Sequence, residues 1–523
     1  MSISPISSLH LSILDNDFYD FIIIGAGLAG LASAALLAKD GYRVKVLEAH
    51  TASGGCASYF KRKNFTFDVG ATTLSGLGEG QPLKILLEKL NINLESLKFQ
   101  KKNLAMRIFQ DGTEINRYAN FDLWIDELSK HFCNSAEERN NMKLFWEKLY
   151  KIESDSWKLL ESNSNLLPAT VADYLSFLKP KRILKNLNAI KYIPSLFRSL
   201  KKLLVEYKLE QNSKFIEFLD EQLIISTQSY VDKSPELMSA LGLTYASELY
   251  YPYGGIHKLS LALENALENY GAEIQFKSEV TEIETIKMNR EKIFFIKDKQ
   301  DREYLSNYVI SNIPLWNMVN LCSGKTRDFF KSYANKFEYN TSAFALYFAV
   351  ETEEDFDELN YFQIICPELI PNCSAKSFFV TLSPKDDHEK AIPGWRSVTI
   401  STHTDANFWL NLDSETYKKK KNETQNYIFD QLFANIPSLR EAEKEFISSS
   451  SSKSFEFFTR RKSGLVGGIP HSTDYNILDL MPKKVPGEKL FMVGDTVFPG
   501  QGLVATAYSA LSLRETLKLN GVD

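Results

Sequence analysis

The sequence has few cysteines and no cysteine pair. Five occur in 523 residues, at Cys56, Cys133, Cys322, Cys366 and Cys373, and no two have CxxC spacing. This usage predicts a reducing, cytoplasmic compartment and excludes a disulfide framework. The seven histidines are scattered, and none has the spacing to a cysteine or carboxylate that zinc or iron ligands usually have. The sequence therefore predicts no metal site.

The chain also lacks an excess of positive charge. Its formal net charge is -5 and its pI is about 6.0, so nothing favours nucleic acid as a partner. Residues 1–17 have neither the basic cluster nor the long apolar core of a secretory signal. With 523 residues, 44% of them hydrophobic, the chain is expected to form two domains or one elaborated two-part enzyme.

One apolar run, Phe21 to Ala38, is long enough to suggest a membrane span. Three glycines at dinucleotide-motif spacing interrupt it, and Asp20 and Asp40 flank it. The pattern instead predicts a buried strand, a glycine turn and a helix, followed by a second strand that ends at Leu47. This is a βαβ unit.

The turn of this unit reads Gly25-Ala26-Gly27-Leu28-Ala29-Gly30. Gly25 permits a tight turn, Gly27 lets a pyrophosphate approach the backbone, and Gly30 lets helix and strand pack closely. Glu48 follows the second strand, where a carboxylate would accept hydrogen bonds from an adenosine ribose. The sequence predicts a dinucleotide site.

This glycine turn with its acidic residue, the dinucleotide-binding fingerprint, occurs in both NAD and FAD sites. Two further features favour FAD. Gly54-Gly55 offers bare backbone to a second part of a large cofactor. Near the C-terminus, Gly494-Asp495 follows an apolar strand, and Gly500-Gln501-Gly502 opens a helix over Leu503 to Leu519. Asp495 could accept hydrogen bonds from ribityl hydroxyls, and the helix N-terminus could stabilise charge on a reduced flavin. Only one fingerprint is present, so a built-in NAD(P)H domain is not expected.

The chain predicts an α/β protein with a discontinuous Rossmann-type cofactor domain and a mixed α+β substrate domain. The cofactor domain is predicted at residues 17–85, 245–330 and 480–523, and the substrate domain at 86–244 and 331–479. The middle, from about Leu86 to Leu243, is expected to be helix-rich. The serine run Ser448 to Ser452 is expected to be a solvated loop.

A basic segment, Lys179 to Lys202, contains eight Lys or Arg, no acidic residue and interleaved apolar residues. It predicts either membrane-docking helices at 174–208 or an ordinary amphipathic surface. Peripheral attachment to a membrane, or a plastid-like location, therefore stays open beside a cytoplasmic one.

These motifs together resemble the family of FAD-dependent phytoene desaturases, carotenoid isomerases and retinol saturases, within the wider amine-oxidase-like flavoproteins. The resemblance spans nearly the whole chain and includes Phe67 to Gly70, the Tyr251 to Gly255 turn and the Val493 to Val504 segment. Phe498-Pro499-Gly500-Gln501-Gly502 resembles the carotenoid cis-trans isomerase branch. Cys56 and the Phe457 to Pro470 segment depart from the family pattern.

The resemblance implies an amine-oxidase-like architecture and further site residues. It places the backbone of Val280 at the adenine end and Gly70, Ala71 and Thr72 near the isoalloxazine ring, with Gly502, Leu503 and Val504 at the closing helix. It also implies an apolar polyene substrate, a carotenoid or retinoid, isomerised through reduced flavin. Desaturation, saturation and lipid or prenyl binding without redox chemistry stay open. An amine oxidase is disfavoured, because the signature of that class usually has an arginine after the glycine pair, where this chain has Cys56.

A polyene has almost no polar groups, so the protein is expected to supply a long apolar tunnel and alignment. No acid–base pair stands out, and the catalytic residues stay unassigned. Five aromatic residues are candidates for tunnel walls or, alternatively, simple core: Tyr250, Tyr251, Tyr253, Phe457 and Phe458.

Overall fold

The βαβ unit opens the computed structural model, which describes residues 18–162, 193–288, 290–337, 339–356, 359–475 and 479–522. Strand Phe18–Ile24 runs into helix Leu28–Lys39, and strand Val44–Leu47 follows. The helix is built almost entirely from Ala, Leu, Ser and Gly and is buried nearly along its whole length. Small side chains permit this close packing on the sheet.

Within the described residues the strands are β1 Phe18–Ile24, β2 Val44–Leu47, β3 Tyr59–Arg62, β4 Phe65–Asp68, β5 Phe99–Lys101, β6 Leu104–Gln110, β7 Thr113–Tyr118, β8 Tyr250–Pro252, β9 Glu273–Gln275, β10 Val280–Met288, β11 Glu291–Asp298, β12 Glu303–Ser311, β13 Thr341–Glu351, β14 Tyr361–Ile365, β15 Ser377–Leu382, β16 Trp395–Asp405, β17 Lys444–Ser450 and β18 Leu490–Met492. The helices are α1 Leu28–Lys39, α2 Pro82–Lys89, α3 Phe121–Phe132, α4 Ala136–Ser162, α5 Leu200–Glu206, α6 Ser213–Ser226, α7 Glu236–Thr244, α8 His257–Asn269, α9 Leu315–Leu321, α10 Gly324–Lys336, α11 Ala406–Leu410, α12 Ser414–Asn435, α13 Ser438–Glu441, α14 Ser452–Thr459 and α15 Leu503–Leu519.

The first sheet has the strand order β10-β11-β12-β1-β2-β9, and β18 pairs with β12. β1 lies parallel to both β2 and β12, so the carboxyl ends of these strands meet at one edge. Glu48 and Asn312, which follow β2 and β12, therefore come to the same edge as the glycine turn. Helices α1, α8 and α15 pack together beside this sheet in one hydrophobic cluster. Such an edge is where open α/β sheets bind ligands.

The second sheet has the order β17-β13-β16-β15-β14-β6-β7. β13 and β16 pair antiparallel along their whole lengths, from Thr341 opposite Asp405 to Glu351 opposite Trp395. Its strands come from residues 104–118 and 341–450, whereas those of the first sheet come from 18–47, 273–311 and 490–492. The proposed domain boundaries themselves stay a prediction.

The middle of the chain is rich in helices, as expected, and also contains the strands β5, β6 and β7, which pair through their backbones. One local expectation was wrong. The serine run is not a solvated loop, because it completes β17 and begins α14, with Ser451 and Ser452 fully buried. Serine hydroxyls can bond locally to backbone, which lets such a run be buried; Ser452 Oγ donates to the Ala406 carbonyl oxygen at 3.1 Å.

Most of the basic segment, with the membrane-docking helices expected at 174–208, lies outside the described residues. Its described end forms α5, in which Leu200, Leu203 and Leu204 are buried. No helix in the described ranges combines the length and the apolar character needed to cross a bilayer. Membrane contact stays a prediction.

Candidate cofactor and substrate site

Each glycine of the turn lies close to a neighbouring group. Gly25 has φ +95° and donates its N–H to the Leu47 carbonyl oxygen at 2.8 Å. A Cβ on Gly27 would lie 2.5 Å from the Asn312 side-chain nitrogen, and one on Gly30 would lie 2.2 Å from the Gly25 carbonyl oxygen. Gly27 caps the N-terminus of α1, so free backbone N–H groups point towards the space beyond the turn.

Glu48 is held at the end of β2 by backbone donors. One carboxylate oxygen accepts the Ala26 N–H at 2.7 Å, and the other accepts the His50 N–H at 2.8 Å. Each oxygen keeps capacity for another hydrogen bond. The Ser278 N–H donates to the Glu48 carbonyl oxygen at 2.8 Å, which brings the chain just before Val280 beside this carboxylate.

The second glycine pair lies directly against the first turn. Gly54 has φ +106° and donates its N–H to the Ala26 carbonyl oxygen at 2.8 Å. The next segment is anchored to the second sheet, since the Tyr347 hydroxyl donates to the Val69 carbonyl oxygen at 2.6 Å and the Tyr361 hydroxyl donates to that of Thr72 at 3.1 Å. Residues 69–72 are thereby fixed between the two sheets.

The C-terminal segment closes the same space. The Gly494 N–H donates to Ser509 Oγ at 3.1 Å, and Gly502, with φ +93°, caps α15. The N-termini of α1 and α15 both face one cavity, because Leu28, Ala29, Leu503 and Thr506 line it. Two helix N-termini favour an anionic occupant.

A cavity of about 760 Å³ joins these elements, a size within the usual range for small-molecule sites. The predicted site residues that line it are Gly25, Gly27, Glu48, Gly54, Gly55, Gly70, Ala71, Thr72, Gly494, Asp495, Gly502 and Leu503.

Four predicted site residues do not line the cavity. Ala26 orients Glu48 through its N–H, and Gly30 packs against the turn. The Val280 side chain is buried in a hydrophobic cluster, and that of Val504 points at Gly76, where an added Cβ would lie 2.6 Å away. Ala26 and Gly30 therefore belong to the glycine turn, and a role for Val280 and Val504 at the site stays a prediction.

Sequence reasoning missed a buried charge pair. Arg461 lines the cavity, and its guanidinium lies 2.8 Å from the Asp495 carboxylate, with 12% and 20% of the two side chains exposed. Burial disfavours the arginine charge, but Asp495 outweighs it, so the pKa of Arg461 is raised. No local signal marks Arg461, because its partner is distant in sequence.

Cys56 also lines the cavity, beside this pair. Burial raises the pKa of its thiol, although the nearby Arg461 acts in the opposite direction. A raised pKa keeps the sulfur neutral at pH 7, where a thiolate would be needed for nucleophilic chemistry. Cys56 is therefore a neutral wall of the cavity.

Gln501 fixes the loop that precedes α15. Its amide donates to the Ser226 carbonyl oxygen at 2.5 Å, and its carbonyl accepts from Gln228 at 2.8 Å. Gln228 in turn contacts Tyr339, whose hydroxyl donates to the Val466 carbonyl oxygen at 2.7 Å. The loop is thus tied to α6 and to the segment that carries Arg461.

Of the five aromatic candidates for tunnel walls, Phe458 lines the cavity. Tyr251 is buried in the core, Phe457 is 61% exposed, and Tyr250 and Tyr253 also lie outside the lining. The wall opposite the glycine turns is instead the face of the second sheet, with Ala343, Ala345, Phe379 and several hydroxyl side chains.

The residues present fit an elongated dinucleotide cofactor. Bare glycine backbone lies at Gly27 and at Gly54-Gly55, with a carboxylate at Glu48, and a side chain at Gly27 would displace the Asn312 amide and occupy part of this space. Glu48 would hold the ribose, the α1 N-terminus the pyrophosphate, and Asp495 with Gly502 the far end. The fit is one of shape, charge and donor placement.

Comparison with known proteins agrees with this geometry. Residues 23–90 match the family described as an NAD(P)-binding Rossmann-like domain. Prolycopene isomerase 1, chloroplastic, of an Oncidium hybrid cultivar is 26% identical over 94% of this chain and 82% of its own length. The 4,4'-diaponeurosporene oxygenase of Staphylococcus aureus (strain Mu50) is 22% identical over 95% of this chain and 97% of its own.

Among solved structures, cyclohexylamine oxidase from Brevibacterium oxydans superposes with a TM-score of 0.58 at 13% identity, covering 96% of this chain and 100% of that one. The prediction of an amine-oxidase-like α/β fold is confirmed. The expected resemblance to the carotenoid-modifying enzymes, including the isomerase branch, is also confirmed over nearly the full length. The expectation of an enzyme of the oxidoreductase or isomerase class is confirmed by these relatives.

Proposed function

We propose that the protein binds FAD and acts on a long apolar polyene, a carotenoid or retinoid, and that it catalyses cis-trans isomerisation. The observation that carries the proposal is the continuity of the cavity. It runs from Glu48 and Gly27, which fit the nucleotide, to Ala345 and Phe379 on the second sheet. A substrate lying on that sheet would therefore face a cofactor held at the edge of the first sheet.

The chain's own residues have three tasks in this reaction. Glu48 and the α1 N-terminus hold the nucleotide end, and residues 69–72, anchored by Tyr347 and Tyr361, fix the part of the cofactor nearest the substrate. When bound, a reduced flavin supplies electron density or a proton to a conjugated polyene and so lowers its double-bond order. The α15 N-terminus favours the negative charge of that reduced state.

Binding and orientation are the main contribution expected from the cavity walls. Isomerisation of a polyene needs no general acid–base pair, whereas it needs the double bond held close to the cofactor. Ala343 and Ala345 leave room for a chain along β13, and Phe379 offers an apolar surface beside it.

Desaturation and saturation would use the same site with net loss or gain of hydrogen. The named relatives include an isomerase and an oxygenase, so the reaction type must be measured. A lipid-binding protein without redox chemistry has no support from these relatives, which are enzymes.

The purified protein should carry flavin absorbance after loading with FAD. Incubation with cis-carotenoids, with the flavin oxidised and then anaerobically reduced, should give products of unchanged mass and new retention time only in the reduced arm. Loss of two hydrogens would establish a desaturase, and gain of two would establish a saturase. No flavin binding, or no turnover of any carotenoid or retinoid in either arm, would overturn the proposal.

A further inference from the structure

Part of the sheet wall of the cavity is polar. Ser401 on β16 pairs with Phe379 on β15 and with Ala345 on β13, so these three side chains share the cavity face. His403 pairs with Ala343 one step along the same face, and Ser377 lies beside it on β15. All of these residues line the cavity. We call Ser377, Ser401 and His403 the Ser–His cluster.

Two members of the Ser–His cluster have unused hydrogen-bonding capacity. Within the part of the chain that the structure describes, neither the Ser401 hydroxyl nor the His403 ring has a hydrogen-bond partner. Burial lowers the pKa of His403 to about 4, so at neutral pH the ring offers one donor and one acceptor. Buried polar groups cost free energy unless water or a ligand satisfies their hydrogen bonds.

The third member of the cluster, Ser377, is held in place by a hydrogen bond from a buried glutamine. The buried Gln363 amide donates to Ser377 Oγ at 3.0 Å and to the Glu221 carbonyl oxygen at 3.0 Å. The Glu221 side chain is 4% exposed, and burial raises its pKa while a hydrogen bond from Ser377 acts against the rise. Ser377 therefore holds a defined orientation and can accept one further hydrogen bond.

We propose that the Ser–His cluster binds a neutral oxygenated end group, a hydroxyl or an aldehyde, on the elongated apolar substrate. The cluster has donors and acceptors but no cation of its own, so a carboxylate ligand buried there would keep an uncompensated charge. The inference rests on the proposed function, because it places the substrate chain in the same cavity. It narrows the substrate class from polyene hydrocarbons to polyenes with one polar end.

The inference is tested by equilibrium binding to the FAD-loaded protein, which needs no turnover. The probes are retinol, retinal, retinoic acid and the corresponding hydrocarbon without oxygen, each titrated by its change in absorbance or fluorescence. Retinol and retinal should bind about tenfold more tightly than the hydrocarbon and more tightly than retinoic acid.

Variants assign the preference to the cluster. Ser401→Ala with His403→Leu should reduce the retinol preference to below about threefold, because retinol loses its hydrogen-bond partners and the hydrocarbon no longer leaves buried polar groups unsatisfied. His403→Gln, which keeps a donor and an acceptor, should retain the preference. Ser397→Ala is the matched control, because it lies on the same strand, is buried and does not line the cavity.

Equal affinity for retinol and the hydrocarbon, binding of no probe, or a preference that survives the double variant would overturn the inference. The two proposals fail separately. A protein that isomerises hydrocarbon carotenoids and shows no end-group preference refutes only the inference. A protein that shows the preference and turns over no polyene refutes only the proposed function.

Discussion

Removal of the Arg461 guanidinium is expected to destabilise the protein and to weaken flavin binding. In Arg461→Gln, Asp495 keeps its charge in a cavity where only 20% of its side chain is exposed. Breaking a fully buried pair costs about 3–5 kcal/mol, and an exposed pair contributes about 0–1 kcal/mol. The partial burial of this pair places its cost at about 2–3 kcal/mol.

The corresponding change in Tm follows from the size of the chain. An unfolding entropy of about 2.1 cal/mol/K per residue gives about 1.1 kcal/mol/K for 523 residues. The apoprotein should therefore melt about 2–3 °C lower by differential scanning fluorimetry. Flavin affinity, measured by quenching of flavin fluorescence, should fall about tenfold, because an uncompensated carboxylate then faces an anionic cofactor.

A double variant separates the two effects. Arg461→Gln with Asp495→Asn removes both charges and should recover Tm to within about 1 °C, because no uncompensated charge is left. Flavin affinity should stay low, since the proposed acceptor at Asp495 is also lost. Arg460→Gln is the control for stability, because Arg460 makes a more exposed pair with Glu279 at 3.5 Å. An unchanged Tm in apo Arg461→Gln would refute the reasoning.

Two further predictions concern the glycine turn and a buried lysine. Gly27→Ala should weaken flavin binding at least about tenfold with little change in Tm, because the added methyl meets only the movable Asn312 amide. Gly30→Ala should instead lower Tm, because its methyl would lie 2.2 Å from the Gly25 carbonyl oxygen. Equal effects of the two variants on Tm would contradict this reasoning. Burial lowers the pKa of Lys483 to about 7. Between pH 7 and 9 the unfolded chain therefore keeps a proton on this lysine that the folded chain increasingly lacks. The free energy of unfolding, measured with denaturant, should rise by about 2 kcal/mol over this pH range. Lys483→Met should remove this rise, and an unchanged slope would contradict the assignment.

The elements that the sequence predicted well are those with a local pattern. The βαβ unit has an apolar strand, glycines at fixed spacing and a small-residue helix, and α15 begins after a glycine and runs from Leu503 to Leu519 as expected. The glycines and carboxylates at 25–55 and 494–502 could be predicted from their own turns, whereas Gly70, Ala71, Thr72 and Leu503 were implied by the family resemblance.

The features that the sequence did not reveal depend on tertiary contacts. The serine run has no apolar alternation, yet pairing of β17 with β13 makes it a strand. Ser401 and His403 become a candidate site only because register places them on the cavity face beside Phe379. Five aromatic residues near turns were candidates for tunnel walls, but aromatic character alone does not decide between cavity and core.

The departure at Cys56 and the departure at Phe457 to Pro470 are physically connected. The neutral Cys56 thiol and the Arg461–Asp495 pair lie close together, and Arg461 belongs to the second departing segment. Gly467 and Gly468 have φ values of +81° and +69°, and a Cβ on Gly468 would lie 1.9 Å from the Asp495 carbonyl oxygen. This segment can reach the C-terminal loop only because both positions are glycine. The charge balance of the cavity therefore depends on the docking of a segment that follows the second sheet against the C-terminal loop.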